Sequence, residues 1–117
     1  MQIARLDALR GFSPEGLRKI KLFETARFFL DLYCLESGQG QKPHTHAEND
    51  KVYLVREGAG RFQVGDEEVV LRAGEAVLAA AGQLHGVFND GPDRLVILTF
   101  MAPHPRWAPP TDRESDQ

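Results

Sequence analysis

Hydrophobic positions along this chain come in short runs with the two-residue alternation of strands, not the 3.6-residue period of helices. After a weakly amphipathic start carrying Ile3, Leu6 and Leu9, the segment SPEGLRK reads as a turn, because Pro14 and Gly16 break any helix. IKLFETARFFLDLYCLE is rich in aromatic and branched residues and is interrupted at Glu24 and Thr25, which predicts two strands joined by a tight connection. SGQGQKP then reads as a loop. KVYLVREG is the next strand. GAGRFQVGDEEVVLRAG adds two short segments set off by turns at Gly58 to Gly60 and at Gly65-Asp66, with Phe62 and Val64 on one face. EAVLAAAGQLHGVFND predicts a strand, a turn at Gly82, and a strand with His85, Val87 and Asn89 on one face, and RLVILTFMA predicts a buried strand. Short strands with glycine turns throughout predict an all-β protein, an antiparallel sandwich or barrel.

The composition agrees and narrows the organisation. A chain of 117 residues is long enough to close one barrel around its own core and too short for two, and 11 glycines with 7 prolines suit a turn-rich fold. Residues 1–16 are expected to form an N-terminal arm and 17–103 the barrel. Residues 104–117 are expected to be an extended, proline-rich and partly disordered tail, in which His104 is solvated and Trp107 docks on the barrel or on a partner chain. With 14 basic and 17 acidic residues and no basic stripe, nucleic acid is not an expected partner. MQIARLDALRGFSPEG has no apolar signal core and AVLAAAG is too short to span a bilayer, so no membrane association is expected and the location is read as cytoplasmic. Cys34 is the only cysteine. It sits among apolar residues with Asp31 and Glu36 as its nearest charges, so it reads as a buried, inert thiol.

Candidate chemistry lies in PHTHAENDKVYLVREG. On a strand, His44 and His46 would share a face and could reach one ion, although a lone His-x-His pair arises easily by chance. A wider pattern surrounds it. Gly38, His44, His46, Lys51 and Gly58 stand at the spacings of the first cupin motif, with Lys51 where that motif has glutamate. Gly74, Ala80, Gly82, His85 and Asn89 stand at the spacings of the second, with Ala80 where that motif has proline. The chain therefore resembles the cupins, which implies a jelly-roll cupin β-barrel of six or eight strands. The resemblance also implies that His44, His46 and His85 map onto three metal ligands inside it. The implied cofactor is a divalent ion, zinc, iron, nickel or copper, because a three-histidine set does not choose among them. The family habit of pairing implies a homodimer, with residues before Leu17 and the Trp107 region as the surfaces a partner would cover.

Lys51 is the departure that matters. An ammonium about 5 Å from a divalent ion, at an effective dielectric of ~20, meets a repulsion of roughly 6–7 kcal/mol. Lys51 must then lose its proton, turn away toward Glu48 or Asp50, hold an anion that offsets both charges, or face a barrel without metal. Glu48 is a further candidate, as a substitute ligand or as a partner of Lys51 in moving protons. Asp50 fits better outside the site, as a neighbour of Lys51 or a loop-capping acid. The wall of the cavity has two registers: Phe28, Leu30 and Leu32, or Phe29, Asp31 and Tyr33, with Phe62, Phe88 and Phe100 as further apolar candidates. Two functional readings follow. One is a metal-binding cupin that takes a small organic ligand and acts as a dioxygenase, isomerase or cyclase, with Lys51 or Glu48 moving a proton. The other is a non-catalytic binding or accessory cupin with a degenerate, metal-free site.

Overall fold

The computed structural model describes residues 1–106. Nine strands follow one four-residue helix, α1 (Leu6–Leu9): β1 (Arg18–Glu24), β2 (Phe29–Leu35), β3 (Gly40–His44), β4 (Asp50–Glu57), β5 (Ala59–Val64), β6 (Glu67–Arg72), β7 (Ala76–Ala79), β8 (His85–Phe88) and β9 (Leu95–Ala102). They form two antiparallel sheets, a five-stranded one in the order β1-β2-β9-β4-β7 and a four-stranded one in the order β3-β8-β5-β6. This is the jelly-roll arrangement expected of an all-β cupin. None of the described helices is long and apolar enough to cross a membrane.

The core lies between the sheets because each strand turns alternate residues inward. Tyr33 and Leu35 of β2, Tyr53 and Val55 of β4, Leu95 and Ile97 of β9 meet Phe62 and Val87 from the opposite sheet. Burying a side chain of Phe62's class contributes about 1.5–3 kcal/mol. Of the two registers open for β2, the odd-numbered one faces inward. Leu32 belongs to a second cluster, with Cys34 and Val96, on the other face of the five-stranded sheet. Phe88 lies half-buried beneath the Arg61 guanidinium, and Phe100 is partly exposed on that outer face, so only Phe62 of those three phenylalanines is core. Cys34 is a free, fully buried thiol, as its apolar setting implied.

The N-terminal arm folds back on its own chain. Phe12 packs on the Leu32, Cys34 and Val96 cluster, with the Arg10 and Arg94 guanidinium carbons 5.3 and 4.2 Å from its ring centroid. Arg10 also donates two hydrogen bonds to the Glu57 carboxylate, at 2.9 and 2.6 Å.

Two expectations are corrected. The segment read as the loop SGQGQKP contains β3, whose glycine, glutamine, lysine and proline carry little strand signal. Such residues are tolerated because β3 is an edge strand and Pro43 falls in a register shift of its pairing with β8. His104 is not solvated: it is 7% exposed, its Nε2 lies 2.8 Å from Glu24 Oε2, and its ring meets Phe29 edge-on. Its backbone N–H donates to the Arg27 carbonyl and the Pro103 carbonyl accepts from Asn49 Nδ2, so the chain is tied down past the end of β9. Trp107 and the rest of the tail lie outside the described residues.

Candidate metal centre

The site begins at the pairing of β3 with β8, where His44 stands directly opposite His85. That approach needs a glycine. A Cβ added to Gly86 would lie 2.9 Å from the Gln41 carbonyl oxygen and 3.0 Å from Pro43 N, so a side chain there would push the two strands apart. Gln41 and His44, three residues apart, would face opposite ways on a regular strand. A register shift between them lets both side chains reach the cavity.

His46 follows just beyond the end of β3, and the three imidazoles converge, with ring centroids 4.4–5.4 Å apart. One nitrogen from each lies within 4.8 Å of the others. Donors sharing one ion through bonds of about 2 Å stand about 3–4 Å apart, so modest ring rotation would close the set. Hydrogen bonds orient two of the rings. His44 Nδ1 lies 3.0 Å from the Lys42 carbonyl and His85 Nδ1 3.0 Å from the Gln83 carbonyl. A carbonyl only accepts, so each Nδ1 carries a proton, and in the neutral ring this leaves the lone pair on Nε2, the tautomer that backbone carbonyls impose on metal-binding histidines. His85 is 1% exposed, and its Nε2 has no hydrogen-bond partner. Burial pushes the His85 imidazolium down to about 4, with the Gln83 carbonyl working against the shift and the charge of Lys51 assisting it. Burial lowers His46 as well, with His44 and Lys51 adding to the effect. At neutral pH the buried ring is therefore a neutral donor lacking a partner, which is what a divalent ion requires.

Lys51 faces inward from β4 and is 2% exposed. Its Nζ donates to Tyr33 Oη and to Gln41 Oε1, both at a long 3.4 Å, and lies 5.4 and 5.1 Å from the Tyr33 and Tyr53 ring centroids. Tyr53 Oη donates to the same Gln41 oxygen at 3.1 Å. Burial brings the Lys51 ammonium down to about 8, with Lys19 pushing the same way and Asp31 opposing. Of the four outcomes open for Lys51, turning away to Glu48 or Asp50 does not occur. Glu48 sits exposed in the turn after His46 and does not line the cavity, and Asp50 is occupied outside, accepting from the Ala81 N–H at 2.9 Å.

Lys51, His44 and His46 open onto a cavity of about 520 Å³, whose wall includes Lys19, Phe29, Tyr33, Gln41 and Met101. His85 lies deeper. Lys19 and Gln41 escaped sequence reasoning: Gln41 lay in a segment read as loop, and nothing separates Lys19 from Lys21 along β1. Asn89 works on the backbone. It is fully buried, and its amide donates to the Leu35 and Asp93 carbonyls, bracing the turn between β8 and β9.

The comparisons agree with this geometry. The cupin domain family model matches residues 31–101. The TT1209 protein from Thermus thermophilus is 42% identical, over 88% of this chain and 98% of its own, with a TM-score of 0.86. A protein with a double-stranded β-helix domain from Klebsiella pneumoniae is 24% identical over 88% and 90%, with a TM-score of 0.81. A protein described as a predicted oxalate decarboxylase from Thermotoga maritima is 19% identical over 75% and 81%, with a TM-score of 0.71. The last two, below a quarter identity, speak to the fold alone. No protein of curated function matches the chain significantly. The motif spacings, the two-sheet topology and the family match over most of the barrel lead to one conclusion: the chain belongs to the cupin domain family.

Proposed function

We propose that this cupin holds a divalent metal ion through His44, His46 and His85 and binds a small organic anion beside it, acting as a metal-dependent dioxygenase, isomerase or cyclase. The observation that carries the proposal is the buried, partnerless Nε2 of His85, on a ring clustered with His44 and His46 so that one nitrogen from each lies within 4.8 Å of the others. A divalent ion bound there would polarise a carbonyl or, if redox-active, support oxygen chemistry. The remaining work falls to this chain's own residues. The Lys51 ammonium pairs with the ligand's negative charge, held in place by Tyr33 Oη and Gln41 Oε1. With its proton bound less tightly than in an ordinary lysine, Lys51 is also the group placed to hand one to, or take one from, the ligand. Phe29 and Met101 limit water at the wall. Glu48, exposed in its turn, has no part in this mechanism.

The same Lys51 favours a second reading, a metal-free barrel that binds an anion without turnover, because a buried cation stands where the motif has an acid. Elemental analysis of untagged protein purified without added metal separates the two. Near-stoichiometric metal, lost in His44→Ala, is expected; protein that stays empty after dialysis against zinc, iron, nickel and copper would leave the metal-free reading. Enzymatic action then requires metal-dependent product formation from a panel of carbonyl-containing acids, and ligands that bind without product would reduce the claim to binding.

We also propose a cytoplasmic homodimer. The outer face of the five-stranded sheet carries a cross-strand row, Leu30, Phe100, Val52 and Leu78, in which Phe100 and Leu78 are 38% and 56% exposed. A second copy covering this row would remove apolar surface from water. Light scattering is expected to give twice the chain mass, falling to the monomer in Leu78→Glu; a monomer mass across a wide concentration range would remove the claim.

A further inference from the structure

The cavity has a charge arrangement that its histidines do not explain. Lys51 at its base and Lys19 at its mouth both approach the Tyr33 ring, each Nζ lying 5.4 Å from the centroid. Lys51 is buried, whereas Lys19 projects from the edge strand β1 and is exposed. Neither has a carboxylate within ion-pair distance among the described residues, and no acidic side chain lines the cavity. Asp31, on the same strand as Tyr33, is an acid whose charge acts on both lysines from beyond ion-pair distance, and its own carboxyl is pushed up by burial, which weakens it as a counter-ion.

A buried ammonium without a counter-ion is costly unless a ligand supplies one. Two unpaired cations at different depths of one cavity call for two negative charges at matching depths. We propose that Lys19 and Lys51 form a two-point anion subsite, and that the ligand is a small dicarboxylate-type acid lying from the base of the cavity to its mouth. Its inner carboxylate meets Lys51 beside the histidines. Its outer carboxylate meets Lys19, which thereby selects dianions over monoanions of similar size. The cavity, at about 520 Å³, admits a dicarboxylate with space to spare for water, so its size does not set the chain length. This substrate class rests on the functional reading above for its inner end, while Lys19 is a specificity residue that sequence reasoning did not single out.

Lys19 could instead be a solvated lysine that keeps an edge strand from pairing, and the two roles predict different binding. The test is calorimetric titration of the full chain, both metal-free and zinc-loaded, with succinate, glutarate, butyrate and the neutral succinamide. Succinate or glutarate is expected to bind at least tenfold more tightly than butyrate, and succinamide weakest. Lys19→Met should bring the dianions down to the butyrate level while leaving zinc stoichiometry and butyrate affinity unchanged, and Lys51→Met should weaken both dianion and monoanion. Dianions binding no better than butyrate, a Lys19→Met variant with the preference intact, or no probe binding at tens of millimolar would each overturn the proposal. Protein that takes up no zinc yet prefers dianions through Lys19 would overturn the metal reading and leave the subsite standing.

Discussion

Metal-free protein is expected to lose on the order of 3 kcal/mol of stability as pH falls from 6.5 to 4, and His85→Gln is expected to remove most of that loss. Burial holds the folded His85 down to about 4, whereas in the unfolded chain it titrates near 6.5. Between those values the unfolded state binds the proton more readily, so stability is fully present above 6.5 and declines as pH falls through the window. The lowered His46 acts with the same sign. Asp31, raised by burial, acts oppositely, and Glu24, held at about 2 by hydrogen bonds to Lys21 and His104, adds its own loss below the usual carboxylate range. Only the difference between the wild type and His85→Gln therefore isolates the ring, measured by urea unfolding at several pH values in the presence of a chelator. The same variant should bind zinc more weakly, because one of three donors is gone. Equal acid slopes in the two proteins would mean that His85 is not a neutral buried ring.

Lys51→Met should remove a pH dependence of the same sign at higher pH. Folded Lys51 titrates at about 8 against about 10.5 in the unfolded chain, so its burial weighs on the folded state at neutral pH and that burden lifts as pH rises. Wild-type stability should therefore climb between pH 8 and 10. The methionine variant, of similar length and uncharged, should lack the climb and be more stable at pH 7 by about 1–3 kcal/mol, after the loss of two long hydrogen bonds. Above pH 10 the Tyr33 phenol, raised by burial to about 12, works the other way, so the comparison belongs below that point. Zinc should bind more tightly to Lys51→Met, since a repulsive charge is removed, while anions bind less well. A wild-type profile flat between pH 8 and 10 would show that folded Lys51 titrates as a solvated lysine does.

Lys51 also shows where linear pattern stops being informative. Its place in the first motif, five residues after His46 and seven before Gly58, was readable, and so was its conflict with a cation. The burial that brings it down to about 8 was not, because Tyr33 and Gln41 come to it from two other strands, β2 and β3. Most strands were legible for the reason that β4 was: alternating apolar residues bounded by glycine. Gly58 illustrates the boundaries, with a φ of 81° and the Arg94 carbonyl standing too close to leave room for a Cβ.

Alternation and turn chemistry are local, so the all-β class could be read from the amino-acid order alone, and the three histidines stood out through the resemblance to the two cupin motifs. What faces what is not local. Alternation names two faces of β2 without saying which is inside, and only the partners brought by β9 and β4 turned Phe29 and Tyr33 to the cavity and Leu32 to the outer face. β3 became a strand because an edge beside Gly86 was there to receive it, despite residues that resist the assignment. His104 was drawn in by Glu24, 80 positions away, and Lys19 gained meaning only through the ring of Tyr33. Each of these depends on contacts between segments far apart in the chain, and their energies appear only once the sheets have closed.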